Sequence, residues 1–171
     1  MKLVWVFLLL HSSASYGQLK TAVFGNINFF CSPDSSITQL PEIPENLSEF
    51  GSVFIFSNAS SAISQTDANR LVSYVINGGG LYLGSENWPL QAEAQILTQL
   101  IYKKEHFGQF KQALAEKSRT QNNLALDNID TLPAGNSTVA FPLDYRLKVE
   151  AWVEDQPLLL SGIYGAGRIV I

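Results

Sequence analysis

One stretch of this sequence constrains the fold more than any other, because residues 52–84 have the pattern of strand, helix and strand. The run Ser52 to Phe56 is apolar after its first residue, as expected of a strand that is covered on both faces. Apolar residues at helical spacing then follow an N-cap candidate at Thr66 and stop at glycines 78–80. Leu81 to Gly84 is the next strand. This unit predicts an α/β sheet with a right-handed crossover.

The rest of the chain predicts further strands and helices on either side of this unit. In chain order, these are a strand over Thr21 to Gly25, an irregular proline-containing connection over Ser32 to Glu49, a helix that begins at Pro89, a short helix over Gln109 to Lys117, a half-buried strand over Tyr145 to Val153, and a hairpin of Leu158 to Tyr164 with Arg168 to Ile171. We therefore expect an open sheet with helices on both faces and a C-terminal β-hairpin. Since the chain ends inside an apolar strand, we also expect it to continue beyond Ile171.

The first seventeen residues have the three-part layout of a secretory signal peptide. A positive start at Met1-Lys2 precedes the apolar run Leu3 to Leu10, and a polar stretch of small residues ends at Gly17. The apolar run is far shorter than the ~20 residues that span a bilayer, so we expect no transmembrane segment. The prediction is a signal peptide over residues 1–17 and a secreted or periplasmic domain over residues 18–171.

Composition excludes several classes of protein. With 11 basic residues against 15 acidic ones, the chain is not suited to electrostatic binding of nucleic acid. Its single cysteine excludes a disulfide scaffold, and its 46% hydrophobic content excludes disorder. Two histidines and one cysteine supply no ligand set for zinc, so we predict neither a metal nor a cofactor.

The residues carry a family resemblance. The segment LVSYVINGGGLYLGSENWP (71–89), preceded by SVFIFSN and followed by PLLLSGIYGAGRIVI, resembles the class I glutamine amidotransferase-like superfamily, in particular its ThuA-like and related secreted bacterial members. The resemblance implies a flavodoxin-like parallel sheet with its site at the carboxyl ends of the strands. Catalytic members carry a cysteine nucleophile at the strand-to-helix elbow. Here Gly84 to Asn87 contain no cysteine, which implies that amidotransferase activity is absent.

The polar residues after the predicted strands form the candidate site. Ligands of open α/β sheets bind outside the carboxyl ends of the strands. The predicted ligand-binding residues there are Asn26, Asn58, Ser85, Glu86, Asn87 and Trp88. Amide groups and an indole suit a neutral polar ligand such as a sugar. The alternative is that these are turn and cap residues, since Asn and Ser are favoured there for local backbone bonding.

Catalysis at the elbow is the alternative function, as a hydrolase that uses Ser85 or Glu86. The only histidine after the signal peptide, His106, lies about 20 Å from the elbow if a helix separates them. Glu86 is a lone carboxylate where most glycoside hydrolysis uses two. We therefore predict a non-catalytic binding or scaffold module, with a small polar ligand or carbohydrate and an envelope or extracellular protein as partners.

Three Asn-x-Ser/Thr sequons occur, at Asn46, Asn58 and Asn136. They would be glycan acceptors in a eukaryotic secretory protein. In an Asn- and Ser-rich bacterial chain, which the composition favours, they occur by chance.

Overall fold

A computed structural model describes residues 20–25, 37–56, 63–84, 108–109, 113–117, 131–135, 139–140 and 146–171. The elements in these ranges are β1 (Lys20–Phe24), β2 (Ile37–Leu40), β3 (Phe50–Ile55), α1 (Gln65–Ile76), β4 (Gly80–Leu83), β5 (Gly108–Gln109), β6 (Ala113–Lys117), β7 (Thr131–Gly135), β8 (Val139–Ala140), β9 (Leu147–Val153), β10 (Gln156–Tyr164) and β11 (Gly167–Val170).

Within these ranges, nine strands form one mixed sheet in the order β2-β1-β3-β4-β11-β10-β9-β6-β7, and β5 pairs with β8. The five strands from β2 to β11 are parallel to one another. The other four strands are each antiparallel to their neighbours. The predicted α/β class, with a parallel sheet and a C-terminal hairpin, is confirmed.

The parallel half of the sheet is apolar on both faces. Ala22, Val53, Leu81 and Ile169 belong to the core cluster on the face that α1 covers. The intervening residues of the same strands form a smaller cluster on the opposite face, which we call the second face; its buried members are Val23, Phe54, Phe56 and Val170. Because consecutive strand residues point to opposite sides, a strand buried on both faces is expected to be a nearly continuous apolar run, as β3 is from Val53 to Ile55.

Helix α1 forms where the sequence predicts it, but its N-cap lies two residues before the predicted Thr66, which falls within the first turn. Its cap is Ser64, whose hydroxyl accepts from the Asp67 amide at 3.1 Å and donates to the Asp67 carboxylate at 2.7 Å. The serine oxygen thereby satisfies one of the free amides of the first turn. At the other end, Gly78 has φ +108°, which glycine adopts without strain.

Two local predictions are wrong. The stretch predicted as an irregular connection contains β2, which pairs in parallel with β1; the prolines Pro41 and Pro44 follow this strand and do not interrupt it. The helix predicted over Gln109 to Lys117 is absent, because Ala113–Lys117 is strand β6 and pairs with β7 and β9. Ladder pairing on both sides outweighs a helix propensity of a few tenths of a kcal/mol per residue.

The C-terminal hairpin places the last strand inside the sheet. Strand β11 pairs antiparallel with β10 and parallel with β4. Ile171 exchanges backbone hydrogen bonds with Leu160 at 2.8 and 2.9 Å. The signal peptide and the helix predicted to begin at Pro89 lie outside the described residues. Among those that are described, no helix has the length and apolar character that a membrane span requires.

Candidate functional site

The carboxyl ends of β1, β3 and β4 meet at one edge of the sheet. The Phe56 amide donates to the Phe24 carbonyl, and the Gly84 amide donates to the Ile55 carbonyl, both at 2.9 Å. Gly25, with φ +97°, follows β1 so closely beside Phe56 that a side chain there would overlap the Phe56 carbonyl. The three strands therefore end at the same level, in the place where ligands of open α/β sheets bind. We call this the carboxyl edge.

The site residues predicted from the sequence follow these strand ends directly. Asn26 comes after Gly25, Asn58 is two residues after Phe56, and Ser85 to Trp88 come after Gly84. All six predicted residues, Asn26, Asn58, Ser85, Glu86, Asn87 and Trp88, lie outside the described residues, as does His106. Their role in ligand binding remains a prediction.

Gln39 is a residue at the carboxyl edge that the sequence did not single out. It lies exposed on β2, and its side-chain amide donates to the Gly25 carbonyl at 3.4 Å. It was missed because the surrounding prolines favoured a loop. The signal was the short run ITQL, whose two β-branched residues, Ile37 and Thr38, are typical of a strand.

Three aromatic rings lie on the second face near the carboxyl edge. The ring of Tyr82 is 5.3 Å from that of Phe54 and 5.4 Å from that of Phe56, and the two phenylalanine rings are 6.0 Å apart. Phe54 and Phe56 are buried, and Tyr82 is half-buried. These centroid distances are in the range of favourable aromatic contacts. The cluster gives the second face an apolar centre.

A single row of paired residues crosses seven strands on this face. Cross-strand partners share a face, so the row is defined by the registers of successive strands. It runs through Gln39, Val23, Phe54, Tyr82, Val170, Ser161 and Lys148. The row is polar at both ends and apolar between them.

A buried carboxylate lies beside the polar end of this row on β9. Glu150 is only 1% exposed; it accepts a hydrogen bond from the Ser161 hydroxyl at 2.6 Å and forms an ion pair with Lys148 at 3.0 Å. The alternation in the sequence predicted that Lys148 and Glu150 would face solvent, but Glu150 is buried. The opposite charges two residues apart on a strand were a signal, but Ser161 could be added only once the β9–β10 register was known.

In the described ranges, no three or more His, Cys, Asp or Glu side chains come together as a metal site would require. Burial raises the pKa of the Tyr74 phenol, which donates to the Phe50 carbonyl at 3.1 Å beneath the amino ends of β3 and β4. Tyr74 therefore lies at the end of these strands opposite to the candidate site.

Comparison by sequence finds no matching family and no similar curated protein. Comparison of structures finds a β-galactosidase from Bacillus circulans sp. alkalophilus, at a TM-score of 0.56 and 12% identity, over 89% of this chain and 28% of that one. A putative ThuA-like protein from Bacteroides uniformis matches at a TM-score of 0.54 and 11% identity, over 94% and 84% of the two chains. A glutamine amidotransferase from Thermotoga maritima matches at 0.52 and 10% identity, over 91% and 75%.

These matches show the fold. The chain has the α/β fold found in a ThuA-like protein and a glutamine amidotransferase, as the resemblance in the sequence implied. It spans just over a quarter of the β-galactosidase, at 28% of that chain's length. Because fold does not imply function, activity must be argued from the site.

Proposed function

We propose that this chain is an exported binding domain for a neutral polar ligand, a saccharide, and that it does not catalyse glutamine hydrolysis. The observation that carries the proposal is the carboxyl edge, where β1, β3 and β4 end level with one another and are followed in the sequence by polar stretches. This edge is the common ligand position in open α/β sheets.

The residue types after these strands favour a saccharide. Asn26, Asn58 and Asn87 supply amides that both donate and accept, which matches the hydroxyl groups of a sugar. Trp88 supplies an aromatic ring for the apolar face of a sugar ring. The fold match to a β-galactosidase adds support, since that protein is named for action on a saccharide.

Two features of the sequence support the rest of the proposal. Gly84 is followed by Ser85 where catalytic amidotransferases carry cysteine, so the elbow lacks the thiol nucleophile of that chemistry. The layout of residues 1–17 supports export, which would bring the domain to saccharides and protein partners of the envelope or the extracellular space.

Calorimetric titration of the purified chain with neutral mono- and oligosaccharides tests the proposal. We expect one class of saccharide to bind, and Trp88→Ala to weaken its binding about tenfold, since an aromatic contact contributes about 1 kcal/mol beyond its buried area. Ile163→Ala is the matched control, because Ile163 is an exposed apolar residue on β10. Absence of binding by every saccharide would overturn the proposal. Turnover of a glycoside or ester that Ser85→Ala or Glu86→Gln abolishes would establish the hydrolase instead.

A further inference from the structure

The side chains of Lys148, Glu150 and Ser161 form a polar cluster on the second face, next to the buried apolar side chains of that face. Ser161 is registered with Val170 on one side and Lys148 on the other, and Val170 belongs to the buried cluster of the face. The cluster is therefore continuous with the apolar centre and breaks its pattern.

The fold itself does not require this cluster. Removing a carboxylate and an ammonium from water costs several kcal/mol per ion, and apolar residues of similar volume in place of a buried ion pair are often neutral or stabilising. An apolar residue at position 150 would also match the buried apolar side chains of the second face, since Glu150 is only 1% exposed. Polar groups that break such a pattern are expected at functional sites.

The geometry of the cluster leaves two of its groups within reach of a ligand. The Glu150 side chain is buried beneath the other two, with 1% of it exposed. The Lys148 side chain is 36% exposed, and Ser161 is half-buried. The Ser161 hydroxyl gives its hydrogen to Glu150, which leaves its oxygen as an acceptor. Lys148 has three N–H groups, and its ion pair with Glu150 occupies one side of the ammonium. Donor and acceptor thus stand side by side, and the ion pair carries no net charge.

The polar cluster lies at the same end of the sheet as the carboxyl edge. Strands β9 and β11 are both antiparallel to β10, so β9 runs in the same direction as β4. Lys148 shares a row with Tyr82, and Glu150 and Gly84 each lie two residues beyond that row toward the same edge. Three strand spacings separate β4 from β9, which is about 14 Å.

We propose that Lys148 and Ser161, oriented by the buried Glu150, form a second polar subsite that binds hydroxyl groups of an extended neutral saccharide. The proposal rests on the function proposed above, since the other end of the same ligand lies at the carboxyl edge after β4. A hydroxyl group both donates and accepts, which matches the Lys148–Ser161 pair, and the ion pair with Glu150 offsets the charge of Lys148. The span of about 14 Å requires an oligosaccharide and not a single sugar ring.

Titration with mono- and tetrasaccharides of glucose, galactose and mannose tests this subsite. Ser161→Ala and Lys148→Met are expected to weaken binding of the tetrasaccharide about 5- to 10-fold and to leave binding of the monosaccharide unchanged. Ser52→Ala is the matched control, because the Ser52 hydroxyl is paired with Thr21 at 3.0 Å at the amino end of the parallel strands. Ser52→Ala is expected to leave both affinities unchanged.

The role of Glu150 is to position the other two groups, and Glu150→Gln tests it. We expect this variant to have a lower melting temperature, since it loses one partner of a buried ion pair, and also to weaken tetrasaccharide binding at temperatures where it is fully folded. A purely structural Glu150 would lower the melting temperature and leave the affinity unchanged.

The two proposals fail in different ways. If the wild type binds a tetrasaccharide and Trp88→Ala weakens it, but Ser161→Ala and Lys148→Met behave like Ser52→Ala, the second subsite is wrong and the proposed function stands. If the wild type binds no saccharide, the proposed function is wrong and the subsite with it. If the tetrasaccharide depends on Ser161 and Lys148 but not on Trp88, the subsite is supported and the role of Trp88 is wrong.

Discussion

A Cβ atom at Gly25 would overlap the backbone carbonyl of Phe56. This close approach joins the end of β1 to the end of β3, where the Phe56 amide also donates to the Phe24 carbonyl. The level at which β1 and β3 end thus depends on a residue without a side chain.

Gly25→Ala is expected to destabilise the protein by about 2–5 kcal/mol. The positive φ contributes about 1–2 kcal/mol, and the overlap with Phe56 contributes a further 1–3 kcal/mol, about the size of other overpacking effects. The free energy of unfolding in urea measures the effect. Gly78→Ala is the matched control: it has φ +108° and open space around it, so only the first contribution applies. Equal losses for the two variants would show that Phe56 is not in close contact.

Tyr74→Phe is expected to lower the free energy of unfolding by about 1–2 kcal/mol. The phenol donates to the Phe50 carbonyl at 3.1 Å, with the Gly80 carbonyl at 3.4 Å, and it links α1 to the amino ends of β3 and β4. Removing it leaves buried acceptors without this donor, while the ring still packs beneath Gly79. Urea denaturation at neutral pH measures the loss, and an unchanged midpoint would contradict it.

The raised pKa of Tyr74 also predicts how the free energy of unfolding changes at alkaline pH. Burial raises the pKa of its phenol above the value of about 10 in the unfolded chain. The folded state then holds a proton that the unfolded state releases. The contribution of the protonated phenol to the free energy of unfolding is therefore complete below about pH 10 and is lost as the pH rises further. Between about pH 9 and about pH 11, the urea midpoint of the wild type should fall more steeply than that of Tyr74→Phe. Parallel curves would exclude Tyr74 as the cause.

Arg70→Met is expected to destabilise the connection between β2 and β3 by about 1–2 kcal/mol. The guanidinium donates to the Ile43 carbonyl at 3.2 Å and to Asp67 at 3.0 Å, and thereby attaches this connection to α1. Hydrogen bonds to charged groups contribute more than neutral ones. Hydrogen exchange of the Leu47 and Phe50 amides, together with urea denaturation, measures the effect.

Lys20→Met is the control for Arg70. Lys20 pairs with Glu49 at 2.9 Å, but both side chains are more than half exposed, at 59% and 58%. Exposed pairs contribute little, so a loss below about 0.5 kcal/mol is expected. A larger loss for Lys20→Met than for Arg70→Met would contradict the role assigned to Arg70.

Local patterns were enough to predict the elements whose own residues specify them. Strand β3 is apolar from Val53 to Ile55, α1 has apolar residues at helical spacing and a glycine stop, and β9 alternates, so each was recognised without its neighbours, although the cap of α1 is Ser64 and not the predicted Thr66. Strand β2 has only four residues and lies between prolines, which made it resemble a loop. Strand β6 has the composition of a helix, but it pairs with β7 and β9.

The features of the candidate site also divide into those that short segments specify and those that depend on strand pairing. By itself, the sequence determined the α/β class, the core segments of β1, β3, β4 and β11, and the polar residues that follow the strand ends, because these depend on hydrophobic periodicity and turn chemistry within short segments. Only the tertiary structure decided that Gln39 reaches the Gly25 carbonyl, that the last strand pairs with β4, and that Glu150 is buried against Ser161. These relationships depend on which strands become neighbours and in what register, and that is settled by burying apolar surface across the whole sheet.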